Sequence, residues 1–276
     1  MNSLNSVGFT GGFTVLMAVY YRCDAALFDR ALSSVYANTL QPDEVLLVVD
    51  GPVPELVESV IARYSIEYGM RVLRLPVNTG LANALNQGLS HISTAWVARA
   101  DQDDINLPQR FEQQARFISN LGMVDIVGSA ILEVDTDGTR IAARYVPMDH
   151  ASIVRYSRRR NPFNHMTVIF RLASVRAVGG YPEIMAQDYG LWALLLGHGC
   201  VAANVPEILV HATAGRDMYR RRGGLSNVRS EIPLQRLLVS NGLKSPIAGL
   251  VHGLGRAAVS MLPNGMRKLV YEKLLR

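Results

Sequence analysis

The strongest constraint on the fold is an alternation that runs through the first hundred residues. Four apolar runs look like buried strands: "FTVLMAV" (13–19), "EVLLVV" (44–49), "RVLRLP" (71–76) and "AWVARA" (95–100). Stretches with helical spacing separate them. In residues 24–38, Leu27, Ala31, Leu32 and Val35 recur at the period of one helix face. Residues 53–69 and 80–91 read as helices in the same way. Strands this uniformly apolar are buried on both faces. The alternation therefore predicts an α/β fold, a Rossmann-like, mostly parallel sheet with helices on both faces. Ligands of such sheets sit at the carboxyl ends of the strands, and Asp50 and Asp101 occupy that position.

Further along, "LPQRFEQQARFISNL" reads as a helix with Pro108 in its first turn. Residues 125–147 and 164–171 read as more strands, broken by the turn "DTDG" (135–138). Residues 188–199 form a short, very apolar helix closed by glycine. Beyond about residue 215 the strand signal fades into helical, basic sequence. The expected division is a main α/β domain over 1–215 and a helical basic extension over 216–276. With 49% hydrophobic residues, the chain has enough apolar mass for a full core, which argues against wholesale disorder.

Cys23 and Cys200 are the two cysteines. They fit no ligand spacing and no disulfide framework, so a reducing compartment is expected. The start, "MNSLNSVGFTGG", has no basic segment followed by an apolar one, so no signal peptide is expected. No stretch approaches the roughly 18 consecutive apolar residues of a membrane span. The net charge of +5 is uneven. Residues 1–215 sum to −4, 216–243 to +4 and 244–276 to +5. A mildly acidic body with a basic tail points to a tail that meets something anionic.

The strand run 95–100 ends in "DQDD", three carboxylates within four residues: Asp101, Asp103 and Asp104. Acids this close raise one another's pKa unless something positive sits among them. Two readings follow. One is a polar loop that caps the next helix. The other is a cation site, since Mg²⁺ and Mn²⁺ take carboxylate oxygens, and Mg²⁺ commonly binds one or two carboxylates plus substrate phosphates. Asp101 and Asp103 suit the second.

Eight stretches in order widen the picture: "VLMAVYYR", "DEVLLVVDG", "NTGLANALNQG", "VARADQDDINLPQRFEQQ", "VDIVGSAI", "NPFNHMTVIFR", "VGGYPEIMAQDYGLWALLL" and "ANVPEILV". Their order and spacing resemble the family 2 inverting glycosyltransferases, which have a GT-A fold, from about residue 13 to 215. They are most similar to bacterial enzymes that extend lipid-linked oligosaccharides for O-antigen, capsule or exopolysaccharide. The resemblance implies a GT-A catalytic domain, a nucleotide-sugar donor (UDP-sugar expected) and Mn²⁺ or Mg²⁺ as cofactor. It also implies a polyprenyl-diphosphate-linked saccharide as acceptor. A sugar nucleotide leaves a diphosphate, whose developing charge a divalent ion neutralises.

By the same resemblance Asp101 contacts the nucleotide sugar with Gln102 beside it, and the metal is held by Asp101 and Asp103. Asp104 is then a structural or helix-entry acid. Asp50 faces the base or ribose, or is an ordinary turn acid before Gly51. Val19 and Tyr20 line the base pocket or simply pack the core. Asn78 lies in a loop that meets the base. The chain departs from the pattern in places: "VVDGPV" has one acid where many relatives have two, and Leu85 stands where many have Arg. Asp188, in "AQDYGLW", is the candidate general base for the acceptor hydroxyl, although an acid there also suits a helix's first turn. Gln187 precedes it where the family usually has Glu.

His165 is a candidate contact for acceptor or donor phosphate, or a structural histidine at a strand start. Tyr181 and Trp192 offer faces to a sugar or pack the core. Arg216, Arg220, Arg221 and Arg222, in "GRDMYRRRGG", form either a solvated charge run or a loop closing over a diphosphate, which Arg forks recognise; Arg220 and Arg221 are the phosphate candidates. Polymer-making relatives carry an Arg-Trp pair near here, and this chain has none, so one sugar per encounter is expected. Residues 247–276 mix apolar and basic side chains. They suit either an anionic membrane interface or a packed helical subdomain or dimer contact. The implied location is cytoplasmic, peripheral to the inner face of the membrane.

Two rival readings exist. Nucleotidyltransferases of similar fold carry a Gly-rich loop and Lys after the first strand, absent from "AVYYRCDAA". A nucleic-acid-binding protein would suit the basic tail, yet no module signature is present, and no nucleic-acid partner is expected.

Overall fold

The computed structural model describes residues 9–213 and 225–261. Its first half follows the alternation: β1 (Phe13–Val19), α1 (Ala25–Tyr36), β2 (Glu44–Asp50), α2 (Glu55–Tyr68), β3 (Arg71–Leu75), α3 (Leu81–Ser90) and β4 (Trp96–Arg99). Then come β5 (Ile105–Asn106), α4 (Arg110–Leu121), β6 (Ile126–Val134), β7 (Arg140–Arg144) and α5 (His150–Ser157). The chain continues through β8 (Ile169–Arg171), α6 (Leu172–Ala177), α7 (Gln187–Gly197), β9 (Ala202–Thr213), α8 (Leu225–Ser240) and α9 (Pro246–Met261).

The strands form one sheet in the order β3-β2-β1-β4-β8-β6-β9-β5, with β7 beside β6. It is parallel from β3 through β4. Beyond that it is mixed: β8 runs antiparallel to β4 and β6, while β9 is parallel to β6. The parallel character expected for most of the sheet thus belongs to its N-terminal half, where strand–helix alternation is regular.

Alternation along β1 explains why helices cover both faces. Phe13, Val15, Met17 and Val19 join one core with Phe28, Ala31, Leu32 and Val35 of α1, Val57 and Ile61 of α2, and Phe111 of α4. Leu16 and Ala18 join the other with Ala84, Leu85 and Leu89 of α3, Val175 of α6, and Leu191, Trp192 and Leu195 of α7. Successive side chains of a strand point to opposite faces, so one strand feeds both cores. In α1 the core position falls to Phe28, and Leu27 is only half-buried. Leu85, standing where relatives carry Arg, is fully buried. The helices beyond 215 are not detached from this body. Leu234, Leu238 and Leu243 are buried in the same cluster as α7.

Two further expectations are adjusted. The segment 164–171 is a strand only at β8; His165–Thr167 form a 3-10 turn. The hairpin at 135–138 is present, with Asp135 O accepting from Gly138 N at 2.8 Å.

Candidate active site

The acidic tip rests on two buried arginines. Arg99, in the middle of an apolar strand, is 1% exposed. Its Nη1 donates to Leu16 O at 2.9 Å and its Nη2 pairs with Asp101. Arg110 is fully buried in the first turn of α4. Its Nη2 donates to Arg99 O at 2.8 Å, its Nε to Gln114 Oε1 at 3.2 Å and its Nη1 to Asn106 Oδ1. Burial, with the like charge of Arg99 beside it, brings Arg110 down to about 9, against the pull of Asp101 and Asp104. The positive charge that three adjacent acids require therefore comes from within the fold, behind the turn.

The three acids have different surroundings. Asp104 is buried and accepts from Thr213 N at 2.8 Å. Burial raises its carboxyl well above the usual range, and Asp101 and Asp103 raise it further. It is a structural acid that ties the tip to the end of β9. Thr213 Oγ1 also donates to Asp103 O at 2.5 Å. Asp101 and Asp103 are half-buried. Between them Gln102 has a buried Oε1 with no hydrogen-bond partner among the described residues. Cys23 lies close by: burial, then the charges of Asp103 and Asp24, push its thiol up to about 12.

Asp50, expected to face the base or ribose or to be a turn acid before Gly51, gives its carboxylate to the 78–80 loop. Its carboxylate accepts from Thr79 N at 2.7 Å, Thr79 Oγ1 at 3.0 Å and Gly80 N at 2.9 Å. Asn78 Nδ2 donates to Asp50 O at 3.1 Å. Gly51 has φ +80°, and a Cβ there would meet Asn78 N at 2.6 Å, so the "DG" pair lets the Asn78 loop close against β2. Val19 is buried at the end of β1. Tyr20, next along, is half-buried and meets Tyr21 edge-on at 5.3 Å.

Asp188 stands in the first turn of α7, half-buried, and its Oδ2 accepts from Asn161 Nδ2 at 2.6 Å. His165 Nε2 lies 2.9 Å from Tyr181 Oη, and the two rings meet edge-on at 5.5 Å. Burial lowers the His165 pKa and the field of Arg99 lowers it further, while Asp101 and Asp188 oppose the shift. Tyr181 feels the same three charges. His165 and Tyr181 therefore lie within electrostatic reach of both Asp101 at the acidic tip and Asp188. Trp192 is fully buried behind them, 5.1 Å from the Phe163 ring. His211 sits in β9 opposite Ile105. Arg216, Arg220, Arg221 and Arg222 lie outside the described residues.

Asn161, Arg99 and Arg110 were not singled out from sequence. Arg99 had a readable signal, a charge inside the apolar run "WVARA". Arg110 had one too, with Asn106 and Gln114 four residues to either side on a helical repeat. Nothing local ties Asn161 to Asp188, 27 residues away.

Among the described residues no group of three or more His, Cys, Asp or Glu side chains is placed to hold a metal. No helix among them is long and apolar enough to cross a membrane.

Comparison with known proteins identifies the family and the fold. Residues 14–176 match the family Glycosyl transferase family 2. The chain is 35% identical over 262 residues to the amylovoran biosynthesis glycosyltransferase AmsE of Erwinia amylovora, covering 95% of this chain and 98% of that one. It is also 35% identical to the UDP-Gal:alpha-D-GlcNAc-diphosphoundecaprenol beta-1,3-galactosyltransferase of Escherichia coli, covering 97% and 98% of the two chains. Among solved structures, the mannosyltransferase PcManGT from Pyrobaculum calidifontis, in complex with GDP-Man and Mn²⁺, superposes with a TM-score of 0.63. That match covers 95% of this chain and 79% of the other at 18% identity, which is a likeness of fold. The fold is GT-A, the chain is a glycosyltransferase, and it belongs to glycosyl transferase family 2.

Proposed function

We propose that this glycosyltransferase is inverting, metal-dependent and non-processive, and moves one sugar from a nucleotide sugar, a UDP-sugar by preference, to a lipid-diphosphate-linked saccharide in surface polysaccharide synthesis. The carrying observation is a grouping of charges: the field of Asp101, beside a carboxylate pair suited to a hard cation, and the field of Asp188 both reach His165 and Tyr181. The galactosyltransferase relative, by its name, uses UDP-Gal and a diphosphoundecaprenol-linked acceptor.

The residues present fit a divalent ion. Asp101 and Asp103 offer half-buried carboxylates, and the orphaned Oε1 of Gln102 supplies a further acceptor for a ligand group. Two carboxylates plus substrate phosphates make an ordinary Mg²⁺ or Mn²⁺ set, so the small number of protein ligands is no obstacle. Such an ion supplies neutralisation of the charge that develops on the leaving diphosphate. Arg99 pairs with Asp101 and orients it. Asp50 fixes the Asn78 loop, which with Val19 and Tyr20 receives the base. Asp188 takes the proton of the acceptor hydroxyl as its oxygen bonds to the anomeric carbon, opposite the departing diphosphate, so configuration inverts. Asn161 holds Asp188 through Oδ2 and leaves Oδ1 for that proton. His165, kept neutral by its surroundings, hydrogen-bonds the acceptor. Arg220 and Arg221 are assigned to phosphate.

Residues 1–215 act as the catalytic domain. The basic extension, 216–276, rests on the anionic inner face of the cell membrane, where a lipid-linked acceptor is found. The test is a screen of sugar nucleotides with Mn²⁺ or Mg²⁺ against a lipid-diphosphate-linked sugar. Transfer should appear with one UDP-sugar, release free UDP, stop with a chelator and give one added residue of inverted configuration. Retained configuration, or transfer unaffected by a chelator, would overturn the corresponding part of the reading.

A further inference from the structure

The stretch "RYSRRRN" ends α5 and leads to Asn161, the partner of Asp188. Arg155, Arg158 and Arg159 are exposed. Arg155 donates to Ser152 Oγ at 2.9 Å, and no ion pair among the described residues involves Arg158 or Arg159. A helix dipole favours cations at a C-terminus, but that effect decays within one turn and does not call for this many.

Hydrogen bonds fix where these arginines stand. Tyr189 Oη donates to Ser157 O at 2.6 Å, and Asn161 Nδ2 donates to Asp188 Oδ2 at 2.6 Å. Ser157 and Asn161 flank Arg158–Arg160, so the arginine stretch is pinned at both ends to the first turn of α7, beside the proposed base. Further cations approach from α8 and α9. Arg256 is paired with Glu231, and Lys244 donates to Gln235 Oε1 at 2.7 Å. Burial, then Arg256 and Arg159, bring Lys244 down to about 8, against the pull of Glu231. Among the described residues here, Arg158, Arg159, Lys244 and Arg256 stand with the carboxylates of Glu231 and Asp188.

We propose that Arg158 and Arg159 dock the diphosphate of the lipid-linked acceptor. The proposal rests on the reading of Asp188 as the base. In a lipid-diphosphate sugar the diphosphate lies one ring away from the attacking hydroxyl, and this stretch runs straight into Asn161, which is hydrogen-bonded to Asp188. Guanidinium forks match phosphate oxygens. The lipid carried by that diphosphate needs an apolar surface, and the charge of Arg159 reaches Lys244 and, on α9, His252. Ile247, Leu250, Val251 and Leu254 are exposed on one face of α9, and α8 and α9 enclose a groove of about 660 Å³ edged by Glu231, Leu250 and Leu254. A donor diphosphate would need no such surface.

The test compares the full-length protein with the double variant R158Q/R159Q by calorimetric titration. The probes are dodecyl diphosphate below its micelle concentration, dodecyl maltoside as the neutral control, UDP with Mn²⁺, and phosphatidylglycerol vesicles as the anionic surface. The variant should bind dodecyl diphosphate at least about tenfold more weakly, as loss of charge-assisted bonds implies, with maltoside and UDP binding unchanged. Unchanged UDP binding also certifies the fold. The proposal is overturned if the alkyl diphosphate binds both proteins alike, or if the wild type fails to prefer it to the maltoside. Equal loss of UDP affinity would place the arginines in the donor site. Lost binding to anionic vesicles with alkyl diphosphate binding intact would make them readers of lipid headgroups; both outcomes also overturn it. Failure of the wild type to bind UDP with Mn²⁺ would instead count against the donor reading, and leaves the alkyl diphosphate arm readable.

Discussion

Asp188 makes a structural bond and is assigned a chemical task, and one substitution separates the two. In Asp188→Asn the amide oxygen still accepts from Asn161, and Asn suits a helix start about as well as Asp. What is lost is the ability to take a proton. Transfer should fall by about 10²–10⁴-fold, the usual contribution of a general base, while titration with UDP and Mn²⁺ stays unchanged. Near-normal transfer would leave Asp188 a purely structural acid. Asp103→Ala should do the reverse and abolish metal-dependent UDP binding, read by calorimetry. His165 adds a pH signature. Its folded pKa lies below the usual 6.5, so as pH drops below that value the unfolded chain binds the proton first and stability falls. The melting temperature should drop on acidification more steeply in the wild type than in His165→Gln; parallel curves would remove His165 as the cause. The acids of this site were legible in the sequence because clustered carboxylates at a strand end are costly without a reason. Asn161 was not, because its partner is distant in the chain. Nor was the full commitment of Asp50 to Thr79 and Gly80, since a turn acid and a ligand acid look alike as letters.

At the scale of elements, the position of Tyr181 depends on how α3 holds the loop that carries it. Asn86 donates to Tyr181 O at 2.8 Å and accepts from Tyr181 N at 2.8 Å. Gly180, at φ +84°, admits this clamp, since a Cβ there would collide with the Asn86 amide. Asn86→Ala strips both partners from a half-buried peptide, at a cost of about 1–3 kcal/mol, and frees the Tyr181 ring from His165. The expected result is a lower melting temperature together with weaker acceptor saturation, with UDP affinity preserved. An unchanged melting temperature would show that water replaces the clamp. Elements were legible where periodicity was long and uniform, as in β1, β2 and α1. They were obscure where it was short or interrupted. The helices α5 and α6 span only 8 and 6 residues, less than a reliable helical window. In β9, Pro206 and Glu207 break the apolar run, and the pairing with β6 shifts register there.

At the scale of the whole molecule, the question is which part of the C-terminal region belongs to the catalytic body and which serves a surface. Leu234, Leu238 and Leu243 are buried against α7, so α8 covers the same core that positions Asp188. By contrast, α9 exposes Ile247, Leu250, Val251 and Leu254 and is fastened mainly to α8, by the Arg256–Glu231 pair at 2.6 Å and by Gly249 against Val239. A partly exposed ion pair contributes about 1 kcal/mol or less. A chain ending at residue 243 should therefore keep a cooperative melt and bind UDP with Mn²⁺ normally. The same chain loses residues 244–276, which carry a net charge of +5, and with them the apolar face of α9. An apolar face flanked by cations binds anionic interfaces and is weakened by salt. Co-sedimentation with anionic vesicles should thus be strong for the full chain at low salt, reduced at high salt and absent after truncation. A chain ending at 224 is the contrasting case. It uncovers Leu191, Trp192 and Leu195, and should aggregate or melt without cooperativity. Vesicle binding that survives the cut at 243 would move the lipid contact into the catalytic body. Collapse of the melt at 243 would make α9 part of the core rather than a surface device.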